Sequence, residues 1–125
     1  MKTDKPNAQE KAFLESVAEL ATDRGLGFLS KEWSQIFTFQ IHHVKGRTYK
    51  QNKVKIGHYF ILPLPVHLHD VNHKNEFNVT YFKNNFCAKY GSQVELFNKL
   101  LAELEKRGYQ LPPLEVIESI RSVRA

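Results

Sequence analysis

The histidines of this chain are concentrated in one stretch, between residues 42 and 73, and two of them are adjacent. Neutral imidazole is the commonest metal ligand in proteins, and histidine is the side chain that titrates nearest to physiological pH. Packing alone does not account for such clustering, so the stretch predicts a metal site, acid–base chemistry, or both. The six members are His42, His43, His58, His67, His69 and His73.

The same stretch carries the positive charge of the chain. Residues 41–75 contain six lysines and arginines and one acid, Asp70, and their net charge of +5 equals that of the whole protein. This concentration favours an acidic partner, most simply nucleic acid. Basic residues there could bind phosphates without reading sequence, and Tyr49 could stack on a base. The predicted nucleic-acid-binding residues are Lys45, Arg47, Tyr49, Lys50, Lys53 and Lys55; the alternative is a solvated loop with no partner.

Length and composition predict a single domain with an ordinary core. The chain has 125 residues, 42% of them hydrophobic and 25% charged, which is typical of one globular domain. The single cysteine, Cys87, excludes an intrachain disulfide and a Cys-rich zinc module. No apolar run reaches the roughly 20 residues of a membrane helix, and the first residues lack the apolar core of a secretory signal. We therefore expect a cytoplasmic protein.

The elements that must position the histidines follow from hydrophobic spacing. Residues 1–6 predict a disordered tail, and residues 7–24 an N-terminal helix with its apolar side chains at helical spacing. Alternation over residues 36–42 predicts a strand, so adjacent His42 and His43 should face opposite sides. A polar connection then leads to a second strand over residues 59–64, which contains Pro63. Helices are predicted over residues 78–90 and, with a capping box at Ser92, within residues 92–123.

Within this arrangement the histidine pair suggests hydrolysis of a phosphodiester. One imidazole can hold a metal ion while its neighbour, facing the other way, removes a proton from water. His69 and His73 would complete the shell of the ion and would share one face if that segment is helical. His58, which follows Gly57, fits a turn or a phosphate contact, and Asp70 could orient a histidine or be an exposed turn acid.

Two segments resemble a known family. Ile41-His42-His43-Val44 followed by residues 62–70 (LPLPVHLHD) resembles the strand, second strand and following histidines of the HNH, or ββα-metal, endonucleases. Residues 79–91 (VTYFKNNFCAKYG) are similar to the Ref family, which are phage recombination-enhancement nucleases that depend on RecA filaments. The resemblance covers about half of the chain, from Gln40 to Leu104, and implies a ββα-metal core over residues 36–90.

The resemblance also implies roles for single residues. His43 matches the general base, and His42 and His69 match metal ligands. The third ligand is open between His73 and Asn78, with His67 a weaker candidate. The ion would be magnesium or manganese, with zinc able to occupy the same ligands. Many relatives carry cysteine pairs for a structural zinc, and this chain has none.

The sequence thus predicts an α+β protein in which a small ββα-metal hairpin packs against N-terminal and C-terminal helices. Its predicted function is metal-dependent cleavage of DNA, with a RecA-type filament as a further partner in phage recombination. Two other functions compete with this prediction. The first is an inactive nucleic-acid-binding accessory protein of the same fold, and the second is a protein-interaction module. No oligomeric state is indicated.

Overall fold

The computed structural model describes residues 5–46 and 48–125. Most of the predicted tail and one predicted DNA-binding residue, Arg47, lie outside the described residues. The rest forms a small α+β fold, in which a two-stranded antiparallel hairpin lies between helices. None of the described helices is both long and apolar enough to cross a membrane.

The N-terminal helix, α1, spans Ala8–Arg24 and begins with a capping box. The Asn7 side chain accepts a hydrogen bond from the Glu10 amide at 2.8 Å, and the Glu10 carboxylate accepts one from the Asn7 amide at 2.9 Å. These bonds satisfy two amides that have no partner inside the helix. The helix ends at Gly25, so its bounds match those predicted from the sequence.

The histidine pair lies on β1, Gln40–His43, which pairs antiparallel with β4, Ile61–Leu64. His42 is opposite Leu62 and His43 is opposite Ile61. Both strands are shorter than predicted. The Ile36 carbonyl accepts a hydrogen bond from the Leu26 amide at 3.0 Å, so the start of the predicted first strand is bound instead to the turn after α1. Residues of β4 are all buried, whereas those of β1 are half-buried.

The basic connection contains a second hairpin, which the sequence analysis did not predict. Its strands are β2, Lys50–Gln51, and β3, Val54–Lys55. Asn52 and Lys53 form the turn with φ values of 56° and 66°, the left-handed geometry of a type I′ turn. The usual glycine of such turns is absent and each strand has two residues, so alternation gives no signal. The hairpin is held to the end of the chain by hydrogen bonds from Gln51 and Asn52 to the Ser122 hydroxyl.

The described residues contain four more α-helices, α2, Val66–His69; α3, Lys83–Tyr90; α4, Gln93–Lys106; and α5, Leu114–Arg121, and a short 3-10 helix at Lys31–Trp33. The predicted capping box of α4 is present between Ser92 and Glu95. Helix α3 starts later than predicted because the side chain of Asn78 holds the preceding residues in a turn. The core is formed by β4, by one face of the helices and by the segments next to them, and it includes Val17, Leu20, Trp33, Phe60, Leu62, Phe86, Phe97, Leu100, Leu104 and Ile120.

Candidate functional site

Two histidines from separate elements meet beside the main hairpin. His42 lies on β1 and His69 is the last residue of α2, which follows β4 after Pro65. Their ring centroids are 4.9 Å apart and their planes are inclined by 65°. The antiparallel pairing of β1 with β4 places the start of α2 next to Gln40, so the chain returns to the same side of β1. These are two of the residues that the sequence predicted as metal ligands.

Each of these two rings is held by a glutamine through one nitrogen. Nε2 of His42 is 2.7 Å from Oε1 of Gln93, and Nδ1 of His69 is 2.7 Å from Oε1 of Gln40. A carboxamide oxygen only accepts, so each of these nitrogens carries the hydrogen. A neutral ring then has its lone pair on the other nitrogen, which is Nδ1 in His42 and Nε2 in His69. Hydrogen bonding of the outer nitrogen is the usual arrangement for histidines that bind metals.

The orientation of Gln40 is fixed by Asp70. Nε2 of Gln40 donates to the Asp70 carboxylate at 3.1 Å, which leaves the amide oxygen of Gln40 for His69. The carboxylate also accepts a hydrogen bond from the Asn72 amide, and this bond is the main reason that the pKa of Asp70 is lowered. Asp70 therefore orients His69 through Gln40, one of the two possibilities that the sequence left open.

Burial keeps both rings neutral near pH 7. It lowers the pKa of His42 to about 4, against an opposing effect of the hydrogen bond to Gln93, and the neighbouring charges of His69 and His43 lower it further. Burial also lowers the pKa of His69, although the charge of Asp70 acts in the opposite direction. Neutral imidazole is the form that binds a metal ion, so no proton must be displaced from either ring at neutral pH.

His43 has a different partner from its neighbour, in agreement with the predicted alternation of the strand. Its Nε2 is 2.9 Å from Nδ1 of His58, and the ring centroids are 5.0 Å apart with planes at 82°. His58 is only 5% exposed, so it is a buried ring within the protein and does not present itself to a phosphate.

The other predicted ligands do not join His42 and His69. Helix α2 ends at His69, so the condition under which His69 and His73 would share a helical face is not met, and His73 is exposed in the following turn. The amide of His73 donates to the Asp70 carbonyl at 3.0 Å. His67 is also exposed, with a pKa lowered by partial burial and then by the charge of His73. Across residues 5–46 and 48–125, no group of three or more His, Cys, Asp or Glu residues is arranged to hold a metal.

Asn78 has a structural role in place of the predicted ligand role. Its side chain is fully buried. The amide nitrogen lies 2.8, 3.1 and 3.4 Å from the carbonyls of His73, Asp70 and His67. The amide oxygen accepts from the backbone of Thr80 at 2.8 Å and of Tyr81 at 3.4 Å. Both ends of the side chain are thus used to hold the loop after α2, which corrects the prediction that Asn78 binds the ion.

Three of the predicted nucleic-acid-binding residues lie on the second hairpin. Lys50, Lys53 and Lys55 are exposed. Tyr49 is half-buried against the core, donates its hydroxyl to Gln51 and has Lys45 Nζ 5.3 Å from its ring centroid. Its ring is therefore less available for base stacking than the sequence suggested, and the exposed lysines are the main candidates for phosphate contacts.

Three residues around the histidines were not predicted from the sequence, Gln40, Gln93 and Glu10, and neither was the pairing of His58 with His43. Glutamine has no spacing rule that would reveal it as a hydrogen-bond acceptor for a distant ring. A weak signal existed for two of them, since Gln93 follows the cap residue Ser92 and Gln40 precedes His42 by one strand repeat.

No model of a known protein family, no curated protein and no solved structure matches this chain. The resemblance to the HNH and Ref nucleases therefore stays a prediction. The function proposed below is inferred from the geometry of the histidine site and from the charge around it.

Proposed function

We propose that this protein is a metal-dependent DNA endonuclease that hydrolyses phosphodiester bonds. The observation that carries the proposal is the pairing of His42 with His69, 4.9 Å apart between ring centroids, with the outer nitrogen of each ring bonded to a glutamine oxygen. These bonds fix which nitrogen of each ring holds the hydrogen and leave the lone pair of the other nitrogen as the donor for an ion.

The donors of this pair suit a divalent ion. Nδ1 of His42 and Nε2 of His69 would hold it, and the remaining positions would be filled by water and phosphate oxygens, as in other catalytic sites. When bound, the ion would neutralise negative charge that develops on the phosphate and the leaving oxygen. Imidazole donors favour zinc-like ions over magnesium, which prefers oxygen ligands, so of the predicted ions zinc fits these two residues best.

His43 acts in this proposal as the general base. It is adjacent to His42 but has its own partner, His58, on the other side of the strand, so it would accept a proton from water while His42 and His69 hold the ion. The substrate would approach β1, because β1 is half-buried whereas its partner β4 is completely buried. The scissile phosphate would then lie across the strand end that carries both histidines.

The second hairpin supplies the binding surface. It leaves β1 at the same end as the histidine pair, and it exposes Lys50, Lys53 and Lys55. Contacts of these lysines would be to phosphates, which give affinity without sequence preference. In the cell the protein would act on DNA in the cytoplasm, in phage recombination together with a recombinase filament, as the resemblance implies.

The same lysines support a second candidate, an accessory protein that binds nucleic acid without cutting it. Exposed lysines on a hairpin bind phosphates whether or not a metal is present. The two functions differ in one respect that is simple to measure, which is the response of the protein to a chelator.

The deciding experiment is nicking of supercoiled plasmid by purified protein in EDTA and after addition of zinc, manganese or magnesium. The nuclease proposal expects nicking that EDTA stops and a divalent ion restores. It also expects His43→Ala to lose at least about 100-fold in rate while DNA binding is retained, and Lys106→Ala, a change at an exposed residue of α4, to behave as wild type. Binding without nicking under every condition would leave the accessory function.

A further inference from the structure

We infer that His58 is a positioning residue for His43: it accepts a hydrogen bond from Nε2 of His43 and so keeps the basic lone pair of His43 on Nδ1. The inference rests on the proposed function, because it assigns His58 a part in the work of the general base. Its basis is the distance of 2.9 Å between Nε2 of His43 and Nδ1 of His58 and the burial of the His58 ring, which is 5% exposed.

The direction of this hydrogen bond follows from what a base must do. If His58 donated, Nε2 of His43 would accept, the hydrogen of His43 would be on Nδ1, and both nitrogens would be occupied. If His43 donates from Nε2, its lone pair is on Nδ1. A proton taken from water then goes to Nδ1, the water becomes the attacking hydroxide, and the Nε2–H bond to His58 persists in the charged ring. Only the second direction is compatible with general-base catalysis.

The position of His58 is set by a turn and by the N-terminal helix. The turn over residues 56–59 is closed by the Tyr59 amide and the Ile56 carbonyl at 3.1 Å, and Gly57 adopts a φ of 56° that favours glycine. The amide of His58 donates to Glu10 Oε2 at 3.0 Å. Glu10 is itself 5% exposed.

The carboxylate of Glu10 therefore joins the N-terminal cap of α1 to the turn that carries His58. Its other oxygen, Oε1, accepts the amide of Asn7 at 2.9 Å, so Glu10 is held at both ends. A buried charge that accepts two backbone amides is a rigid anchor, because moving either partner would leave the charge unsatisfied. This anchor holds the backbone of His58 and thereby the ring that faces His43.

A histidine with only a structural role would tolerate other replacements than a histidine that positions His43. A buried ring that only fills space can be replaced by another side chain of similar size, whereas a ring that accepts from His43 needs an acceptor at the position of Nδ1. Asparagine can place its amide oxygen near the position of Nδ1. Glutamine places its amide near Nε2 instead, so the pair His58→Asn and His58→Gln separates the two roles with little difference in polarity.

The test measures kcat, KM and DNA affinity for wild type, His58→Ala, His58→Asn and His58→Gln with the zinc- or manganese-loaded protein. We expect kcat to fall about 10- to 100-fold in His58→Ala and His58→Gln, with KM and DNA affinity within about twofold of wild type, and His58→Asn to recover most of kcat. Equal kcat in the Asn and Gln variants, or an unchanged kcat in His58→Ala, would overturn the inference.

A second measurement needs no activity. Long-range ¹H–¹⁵N spectra of the metal-free protein report which nitrogen of His43 carries the hydrogen, and circular dichroism checks that each variant is folded. We expect the hydrogen on Nε2 in wild type and in His58→Asn, and a change in the His43 nitrogen shifts in His58→Gln. A hydrogen on Nδ1 of His43 in wild type would overturn the inference even if the protein cuts DNA. If the protein cuts no DNA, the proposed function fails, and these spectra still decide the hydrogen bond.

Discussion

Nε2 of His42 lies 2.7 Å from the amide oxygen of Gln93, a residue from the first turn of α4 that is only 2% exposed. This bond links the hairpin to the longest C-terminal helix and determines which nitrogen of His42 holds a lone pair. Together with the bond from His69 to Gln40, it leaves the lone pairs on Nδ1 of His42 and Nε2 of His69, the two nitrogens that the proposed ion would use.

The first prediction separates His69 from His73. Replacing His69 by alanine should weaken binding of zinc or manganese by at least about 100-fold, because it removes one of two protein donors. Replacing His73 should change the affinity less than about twofold, since that residue lies in an exposed turn beyond α2. Competition with a chromophoric chelator measures both affinities. Loss of binding in His73→Ala would place His73 among the ligands, and unchanged binding in His69→Ala would contradict the pairing of His69 with His42.

A second prediction concerns Gln93. The change Gln93→Leu removes the acceptor of the His42 ring while preserving a buried side chain of similar volume. We expect metal affinity to decrease about 10- to 100-fold, which is the usual effect of losing a hydrogen bond to the outer nitrogen of a ligand. The matched control is Asn98→Leu, a change further along α4 at a half-buried residue whose side-chain oxygen accepts a hydrogen bond from Arg121. An affinity equal to that of wild type in Gln93→Leu would contradict the role assigned to the glutamine.

The burial of His42 predicts how stability depends on pH. The pKa of His42 is about 4 in the folded protein and near 6.5 in an unfolded chain. Between these values the unfolded chain binds more protons, so the free energy of unfolding should decrease as the pH falls from 6.5 to 4. The loss from this residue is on the order of 3 kcal/mol. Urea unfolding of the metal-free protein at several pH values measures it.

The variant His42→Gln provides the control for this dependence. Glutamine can donate to Gln93 from a position near that of Nε2 but does not titrate. The decrease in the free energy of unfolding between pH 6.5 and pH 4 should therefore become smaller in the variant. A pH dependence identical to that of wild type would mean that another group causes it.

The last prediction concerns the second hairpin. Replacing Lys50 and Lys53 by glutamate should reduce DNA affinity by at least tenfold at moderate salt and make the salt dependence shallower, because two phosphate contacts are lost. The double replacement of Lys11 and Lys106 by glutamate makes the same change of net charge at exposed residues of α1 and α4 and should have a much smaller effect. Fluorescence anisotropy with labelled DNA at several salt concentrations measures both. Equal losses in the two variants would indicate an effect of net charge rather than a site.

The main helices and the hairpin could be predicted because their signals are local. The capping residues of α1 and α4 and the spacing of their apolar side chains define these helices within the sequence itself. The strand that carries His42 and His43 was predicted too long, because apolar alternation continues through residues that bond to the turn after α1 instead. The second hairpin was missed, since two residues per strand are too few for a periodic signal.

The candidate site was predictable only in part. The types of its residues pointed to His42 and His69, and the antiparallel pairing of β1 with β4 brings them together. The sequence could not reveal that α2 stops at His69, because the stop depends on Asp70 adopting an extended backbone. Nor could it reveal the partners of the rings. Gln93 and His58 come from distant parts of the chain, and tertiary packing alone brings them into contact.

The most direct test of the central claim is a crystal of the protein grown or soaked with zinc or manganese and measured at the absorption edge of that metal. The account predicts one anomalous peak, about 2.1 Å from both Nδ1 of His42 and Nε2 of His69. A peak bound to only one of these rings, or no peak between them at a saturating metal concentration, would contradict the claim that the two imidazoles hold a single ion.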